Sequence, residues 1–289
     1  MSSNGDTDHR TKIPKIHIHS SGESGIFANA YLVETENGVV AIDSTLTVSE
    51  SKSFKSQLDN LGKPLIAVIL THAHPDHVAG VTNLVQSSST SIPVIALESV
   101  ERLMRSTEEL KRSIWGPIYK EEWISKWTYP NQLLKDKEEV TFDEITYRVH
   151  DFGAGGDSDA NSIWILEKEP RIAFVGDLMF NGTHSYIADN HLQDWLKNLD
   201  KAHGLLSDIS TIYPGHGKPG SMELIESQKK YLIAYSDAVK ELSSGKPKLT
   251  DDTKKQLTRK MEEFLPNAGL SFLIAHSSDA VAAELASIK

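Results

Sequence analysis

The spacing of apolar and polar positions along the chain predicts strands before helices. Residues 15–19 (KIHIH) and 28–35 (ANAYLVET) carry β-branched and aromatic side chains, and 38–44 (GVVAIDS) follows the turn signal Glu36-Asn37-Gly38. That pattern predicts an antiparallel hairpin. Residues 47–62 begin with capping residues, place Phe54, Leu58 and Leu61 at helical spacing and stop at Gly62, so a helix is predicted there. The apolar run 65–70 (LIAVIL) reads as a buried strand, and further strands are predicted at 92–97, 145–152, 161–167, 171–177 and 210–215. Helices fill most gaps. From 221 onward the pattern is largely helical, with a loop at 243–252. The aromatic-rich stretch 113–130 lies between two strands and reads either as the wall of a substrate pocket or as a helical pair covering a sheet.

The segment after the buried strand 65–70 changes the picture. There, HAHPDH sets His72, His74, Asp76 and His77 within six residues, at a strand's end, where open sheets commonly place their sites. His72 and His74 are two apart and point to the same side of an extended segment. Asp76 and His77 follow at a helix start, so one loop can serve two adjacent metal positions. A solvated polar loop with incidental histidines is the bland alternative, and it accounts poorly for four ligand-type residues so close together.

Composition narrows the chemistry. The 289 residues include 39% hydrophobic and 24% charged side chains, enough for one large domain or two small ones rather than a disordered chain. A net charge of -10 and no Lys/Arg run argue against a nucleic-acid partner. No window reaches the roughly 18 apolar residues of a membrane span, and the polar start (MSSNGDTDHRTK) lacks the apolar stretch of a signal peptide. No membrane partner and a cytoplasmic location are therefore expected. With no cysteine, any metal must be held by His, Asp or Glu.

THAHPDH resembles the His-x-His-x-Asp-His signature of the metallo-β-lactamase-fold superfamily, and other marks of that family follow in order over residues 28–220. Asp43 ends the strand VVAID as the family's early aspartate does, Asp177 in FVGD matches its metal-bridging carboxylate, and His216 in YPGHG matches its late histidine ligand. The resemblance implies an α/β fold, a four-layer sandwich of two mixed β-sheets flanked by helices. It would occupy 14–289 as a single domain, after a disordered tail over 1–13 and with a helical C-terminal segment from about 246 to 289. One mark is missing. Where the family carries a further histidine in a glycine-rich turn, this chain has FGAGGDSDANS over 152–162. Asp157 is taken as the replacement ligand, with Asp159 the runner-up, His150 upstream, and an ordinary Gly/Asp turn the bland reading.

The implied ligand sets are His72, His74 and Asp157 for one metal and Asp76, His77 and His216 for the other, with Asp177 between. Two divalent ions ~3.5 to 4 Å apart share a water, lower its pKa and polarise the substrate. Zinc is expected; a carboxylate in place of an imidazole makes the site harder and favours manganese or iron more than three histidines would. Asp43 is expected to fix a ligand tautomer from behind. His184 and Tyr186, on the loop after Asp177, are expected to overhang the metals and hydrogen-bond a developing oxyanion or the leaving group, with simple packing on a neighbouring helix the alternative. His9, His17, His19, His191, His203 and His276 are read as structural. The expectation is a hydrolase acting through a metal-bound hydroxide on a small-molecule ester, lactone or amide, β-lactams included. A mononuclear iron persulfide oxygenase and a non-catalytic binding protein are the alternatives, and a homodimer through the C-terminal helices is permitted.

Overall fold

The computed structural model describes residues 13–86 and 91–287. The expected tail up to residue 12, with His9, lies outside the described residues. Strands β1 (Lys15–Ser20), β2 (Asn29–Glu34) and β3 (Val39–Ile42) pair antiparallel in sequence. The hairpin predicted around Asn37-Gly38 is β2–β3. Thr47 then caps helix α1 (Val48–Asn60), its hydroxyl accepting from the Glu50 amide at 3.2 Å, which satisfies one of the donors a helix start leaves free. β4 (Leu65–Ile69) returns parallel to β3. Two short helices, α2 (Pro75–Val78) and α3 (Val81–Val85), lead to β5 (Val94–Leu97), and α4 (Glu98–Tyr119) to β6 (Gln132–Leu134). The first sheet therefore runs β1-β2-β3-β4-β5-β6, with its last four strands parallel.

The second sheet, β11-β10-β9-β8-β7, comprises β7 (Glu139–Phe142), β8 (Ile145–Gly153), β9 (Asn161–Leu166), β10 (Ile172–Asn181) and β11 (Thr211–Gly217), the last following α5 (Leu192–Leu205). Only β10 and β11 in it are parallel. Helices α6 (Glu223–Ser243), α7 (Asp251–Phe264) and α8 (Phe272–Ser287) complete the described chain. Strand alternation separates two apolar cores. Trp164 and Phe174 face inward with the first sheet, α1 and α4, whereas Ile163, Ile165, Ala173 and Val175 face outward against α5, α6 and α8. The result is the helix–sheet–sheet–helix sandwich of two mixed sheets.

Two strands, β6 and β7, are absent from the sequence reading. Both are short edge strands, of three and four residues, and although β7 alternates over Glu139–Phe142 with Val140 buried, the run is too short to stand out in the sequence. β10 also continues past Asp177 to Asn181, because Leu178, Met179 and Phe180 are still buried. The aromatic stretch fits its pocket-wall reading, with Trp115 and Tyr119 on α4 beside a cleft, but it is not a helical pair: after α4 the chain makes one short turn, and Trp123 and Trp127 are buried in the core from non-helical backbone.

The ends of the two sheets are tied together where β4 finishes. The Trp164 indole N–H donates to the Leu70 carbonyl at 3.1 Å. The Ser162 amide and hydroxyl both donate to the Thr71 carbonyl, at 3.0 and 2.6 Å. This fixes HAHPDH against the second sheet.

Candidate metal centre

Three of the seven expected ligands lie just outside regular structure and four lie within it. His72 and His74 follow β4, Asp76 and His77 lie on α2, Asp157 sits in the turn between β8 and β9, and His216 is on β11; Asp177, the seventh, lies within β10. All seven are at most 8% exposed. His72, His74, Asp157 and Asp177 offer ligand atoms within 4.8 Å of one another, and so do Asp76, His77, Asp177 and His216. Asp177 belongs to both groups.

Local chain geometry makes room for the shared carboxylate. Gly176 adopts φ 50°, in the left-handed region, and a Cβ there would lie 2.6 Å from the Thr71 hydroxyl. At Gly215, in the YPGHG turn, a Cβ would run into the Asp177 carboxylate itself. A side chain at Gly215 would displace Asp177, and one at Gly176 would displace Thr71.

Asp43 sets the histidine tautomers from behind. This residue has φ 59°, an uncommon conformation for a side chain with a Cβ. Its carboxylate accepts from the Thr71 amide at 2.8 Å and the Thr71 hydroxyl at 2.7 Å, and it faces His77 Nδ1 at 3.1 Å. Because Thr71 spends its one hydroxyl proton on Asp43, it can only accept from His72 Nδ1, 2.9 Å away. Both imidazoles are thereby turned with Nε2 towards the cluster. His72 Nε2 lies 3.9 Å from Asp157 and 3.9 Å from Asp177. His77 Nε2 lies 3.2 Å from Asp76 and 3.3 Å from Asp177, and His216 Nε2 lies 3.4 and 3.1 Å from the same pair.

Buried polar atoms are ordinarily hydrogen-bonded. Here His72 Nε2, His77 Nε2, Asp157 Oδ1 and Asp177 Oδ1 are all buried without such a partner. Nitrogen and oxygen donors that converge without satisfying one another fit divalent cations of intermediate hardness.

The electrostatics agree. Burial alone would push Asp177 and Asp76 up, but the facing imidazoles, led by His216 for Asp177 and by His77 for Asp76, hold both well below the usual carboxylate range. Burial opposes charge on His77 and His216 too, yet Asp177 raises both, His216 to about 9. His74, 2.7 Å from Asp157, is raised to about 10 by that carboxylate against the pull of burial. Burial lifts Asp157 to about 7 and, with the neighbouring His77 cation, lowers His72 well below its ordinary value.

The remaining candidates separate cleanly. Asp159 points outward, 60% exposed and 2.6 Å from His191, and the half-buried His150 on β8 is absent from both groups. Tyr186 lines the cleft and packs edge-on against His74 with ring centroids 5.4 Å apart, its hydroxyl donating to Asp189 at 3.0 Å. His184, expected to overhang the metals, does not. It is fully buried, its amide bonded to the Gly269 carbonyl at 2.9 Å and its Nδ1 3.0 Å from the Tyr231 hydroxyl on α6. Gly182 turns the chain after β10 with φ 79°, and two residues later the imidazole faces the helical layer. His17 and His19 pair with Glu34 and Glu50 at 2.8 and 3.0 Å, away from the cluster. His276, read as structural, instead stands beside the site's rim, 5.8 Å from the Tyr186 ring.

Sequence reading missed Asp189 and Lys111 here, while Tyr119 belongs to the aromatic stretch 113–130 that it offers as a pocket wall. Asp189 lies 3.7 Å from His74 Nε2. Lys111 and Tyr119 line the cleft from α4. Asp189 shares a loop with Tyr186, but nothing in its spacing marks it, and Lys111 looks like any solvated helical lysine.

Comparison with known proteins bears on this geometry. A family model described as the metallo-beta-lactamase superfamily matches residues 24–216. The uncharacterized protein YobT of Bacillus subtilis is 48% identical over 116 residues, a match covering 39% of this chain and about half (48%) of that protein. A probable metallo-hydrolase of Streptococcus pyogenes is 23% identical over 209 residues, covering 71% of this chain and 84% of that one. Among solved structures, the DIM-1 metallo-beta-lactamase superposes with a TM-score of 0.59 at 21% identity, over 75% of this chain and 92% of that one. At that identity the likeness speaks to the fold.

Proposed function

Because the chain belongs to the metallo-beta-lactamase superfamily, we propose that it is a metal-dependent hydrolase with two divalent cations, zinc the favoured ion, that cleaves an ester, lactone or amide bond of a small molecule. The observation that carries this reading is the convergence of seven buried ligand-type side chains in two groups that share Asp177. In this proposal His72, His74 and Asp157 hold one cation, Asp76, His77 and His216 hold the other, and Asp177 serves both. Two such ions lower the pKa of a shared water towards neutrality and polarise a carbonyl. The chain's own contribution is to hold two histidines in fixed orientation, through Asp43 and Thr71 for His72 and His77. Tyr186 stands close enough to His74 to touch a bound substrate. Its phenol is raised well above its ordinary value by burial and by Asp189, so it meets a substrate as a neutral hydrogen-bonding group.

The set His72, His74 and Asp157 is also the two-histidine, one-carboxylate composition that holds non-haem iron, which supports the second reading, a mononuclear iron oxygenase acting on a persulfide. Metal analysis of purified protein, with assays on esters, lactones, β-lactams and a persulfide, separates the readings. About two equivalents of zinc or manganese with hydrolysis are expected. One equivalent of iron with oxygen consumption would replace the hydrolase reading, and metal-loaded protein inert across the panel would leave a binding protein.

A further inference from the structure

Above the cluster lies a cleft open towards solvent, about 580 Å³ of space counted out to its mouth. Its floor is polar and its walls are apolar. Helix α4 supplies Lys111, Trp115 and Tyr119, spaced i, i+4, i+8 and so aligned along one face. The segment leading into α8 supplies Leu270, Phe272 and Leu273. Phe272 is nevertheless 52% exposed, and α4 carries the exposed row Leu110, Ile114 and Ile118 beside its cleft-facing one, so apolar surface continues past the mouth.

Among the described residues lining this cleft, Lys111 is the sole Lys or Arg. Half-buried, its ammonium lies 5.9 Å from the Tyr186 ring centroid and makes no ion pair with a described carboxylate. The nearby acid, Asp189, is already engaged by the Tyr186 hydroxyl and faces His74. Asp76, Asp157 and Asp177 on the floor are committed to the histidines. Lys111 acts electrostatically on Asp189 without an ion pair to it, which leaves its ammonium open to a ligand's own anion.

We propose that this cleft takes an amphiphilic monoanion, its extended apolar portion lying between α4 and the segment before α8 and its anionic group on Lys111, one ring's width beyond His74. This rests on the hydrolase reading only in calling the molecule a substrate. Apolar walls favour chain length, at about fourfold in affinity per fully buried methylene, and a partly desolvated ammonium favours a single negative charge over a neutral isostere.

The test is calorimetric binding to the metal-loaded protein of butanesulfonate, decanesulfonate and the neutral decyl methyl sulfone. Decanesulfonate is expected to bind at least about a hundredfold more tightly than butanesulfonate and at least about tenfold more tightly than the sulfone. Lys111→Met should erase the preference for charge and keep the preference for length and the bound metal, while Trp115→Ala should weaken the preference for length. Binding indifferent to length or charge overturns the proposal, and so does a charge preference that survives Lys111→Met, since the anion would then sit on the metals. Hydrolysis of octanoyl esters is measured alongside. Selective binding without hydrolysis removes the hydrolase reading and leaves the cleft assignment, whereas hydrolysis without selectivity does the reverse.

Discussion

His77 and His216 stand 3.3 and 3.1 Å from Asp177, whereas His72 stands 3.9 Å from both Asp177 and Asp157. The two groups of the centre differ in how they are held as well as in spacing. Asp76 and His77 lie on a helix and His216 on a strand, with Asp43 bonded directly to the His77 ring. The other group depends on Asp157, in a turn flanked by glycines, whose best contact is with its own neighbour His74. A site held by rigid elements keeps its geometry better than one closed by a loop, so the group containing Asp157 should release its cation first.

The sharpest way to break this contrast is to remove what both groups share. Asp177→Ala is expected to lower metal content at both positions and kcat/KM by at least about a thousandfold, beyond the ten- to hundredfold loss typical of a residue that only orients a ligand. Unchanged stoichiometry would remove the bridging role. Next in size, Asp157→Ala should take metal content from about two equivalents to about one, and Asp157→His should restore the second with a shift towards zinc. Asp159→Ala should alter neither count. If Asp159→Ala loses metal and Asp157→Ala keeps it, the assignment of the turn is wrong.

Asp43→Asn sharpens the contrast on the other side. It should weaken metal affinity about ten- to hundredfold while leaving the stoichiometry at saturation intact, read by competition with a chelating dye. A loss confined to the Asp157 group would contradict the hydrogen bond to His77. The smallest effect is in pH. Without metal, His74 is raised to about 10 and His216 to about 9, so both hold protons at neutral pH that a cation must displace. Affinity should therefore strengthen as pH rises from 7 towards 9, with proton release visible as a difference in binding heat between two buffers. Uptake without proton release would refute it.

Much of this candidate site was legible because several of its residues follow strand ends, where a change from apolar to polar is sharp. LIAVIL before HAHPDH and VVAI before Asp43 are examples. Asp157 was harder, since a Gly/Asp turn looks the same whether or not its carboxylate turns inward. What separates it from Asp159 is burial, 1% against 60% exposed. His184 misled because two residues beyond a turn, side-chain direction depends on backbone angles that spacing does not encode. β6 and β7 were invisible for a different reason: three and four residues are too few for a hydrophobic period to stand out. Lys111 and Asp189 matter only through neighbours far away in the chain, so no local pattern marks either.

The wall formed by Leu270, Phe272 and Leu273 lies outside the stretch that matches the family model, which stops at 216. Thr183, just after β10, forms a bridge with Gly269, so that late segment is pinned beside the centre. Part of the cleft wall is thus written in a different stretch of the chain from the metal-site residues and can be inherited separately from them. Two relatives that agree throughout 24–216, Lys111 and Trp115 included, can still differ in the apolar portion they accept, and swapping only residues downstream of α7 is a route to exchanging that part of their preference.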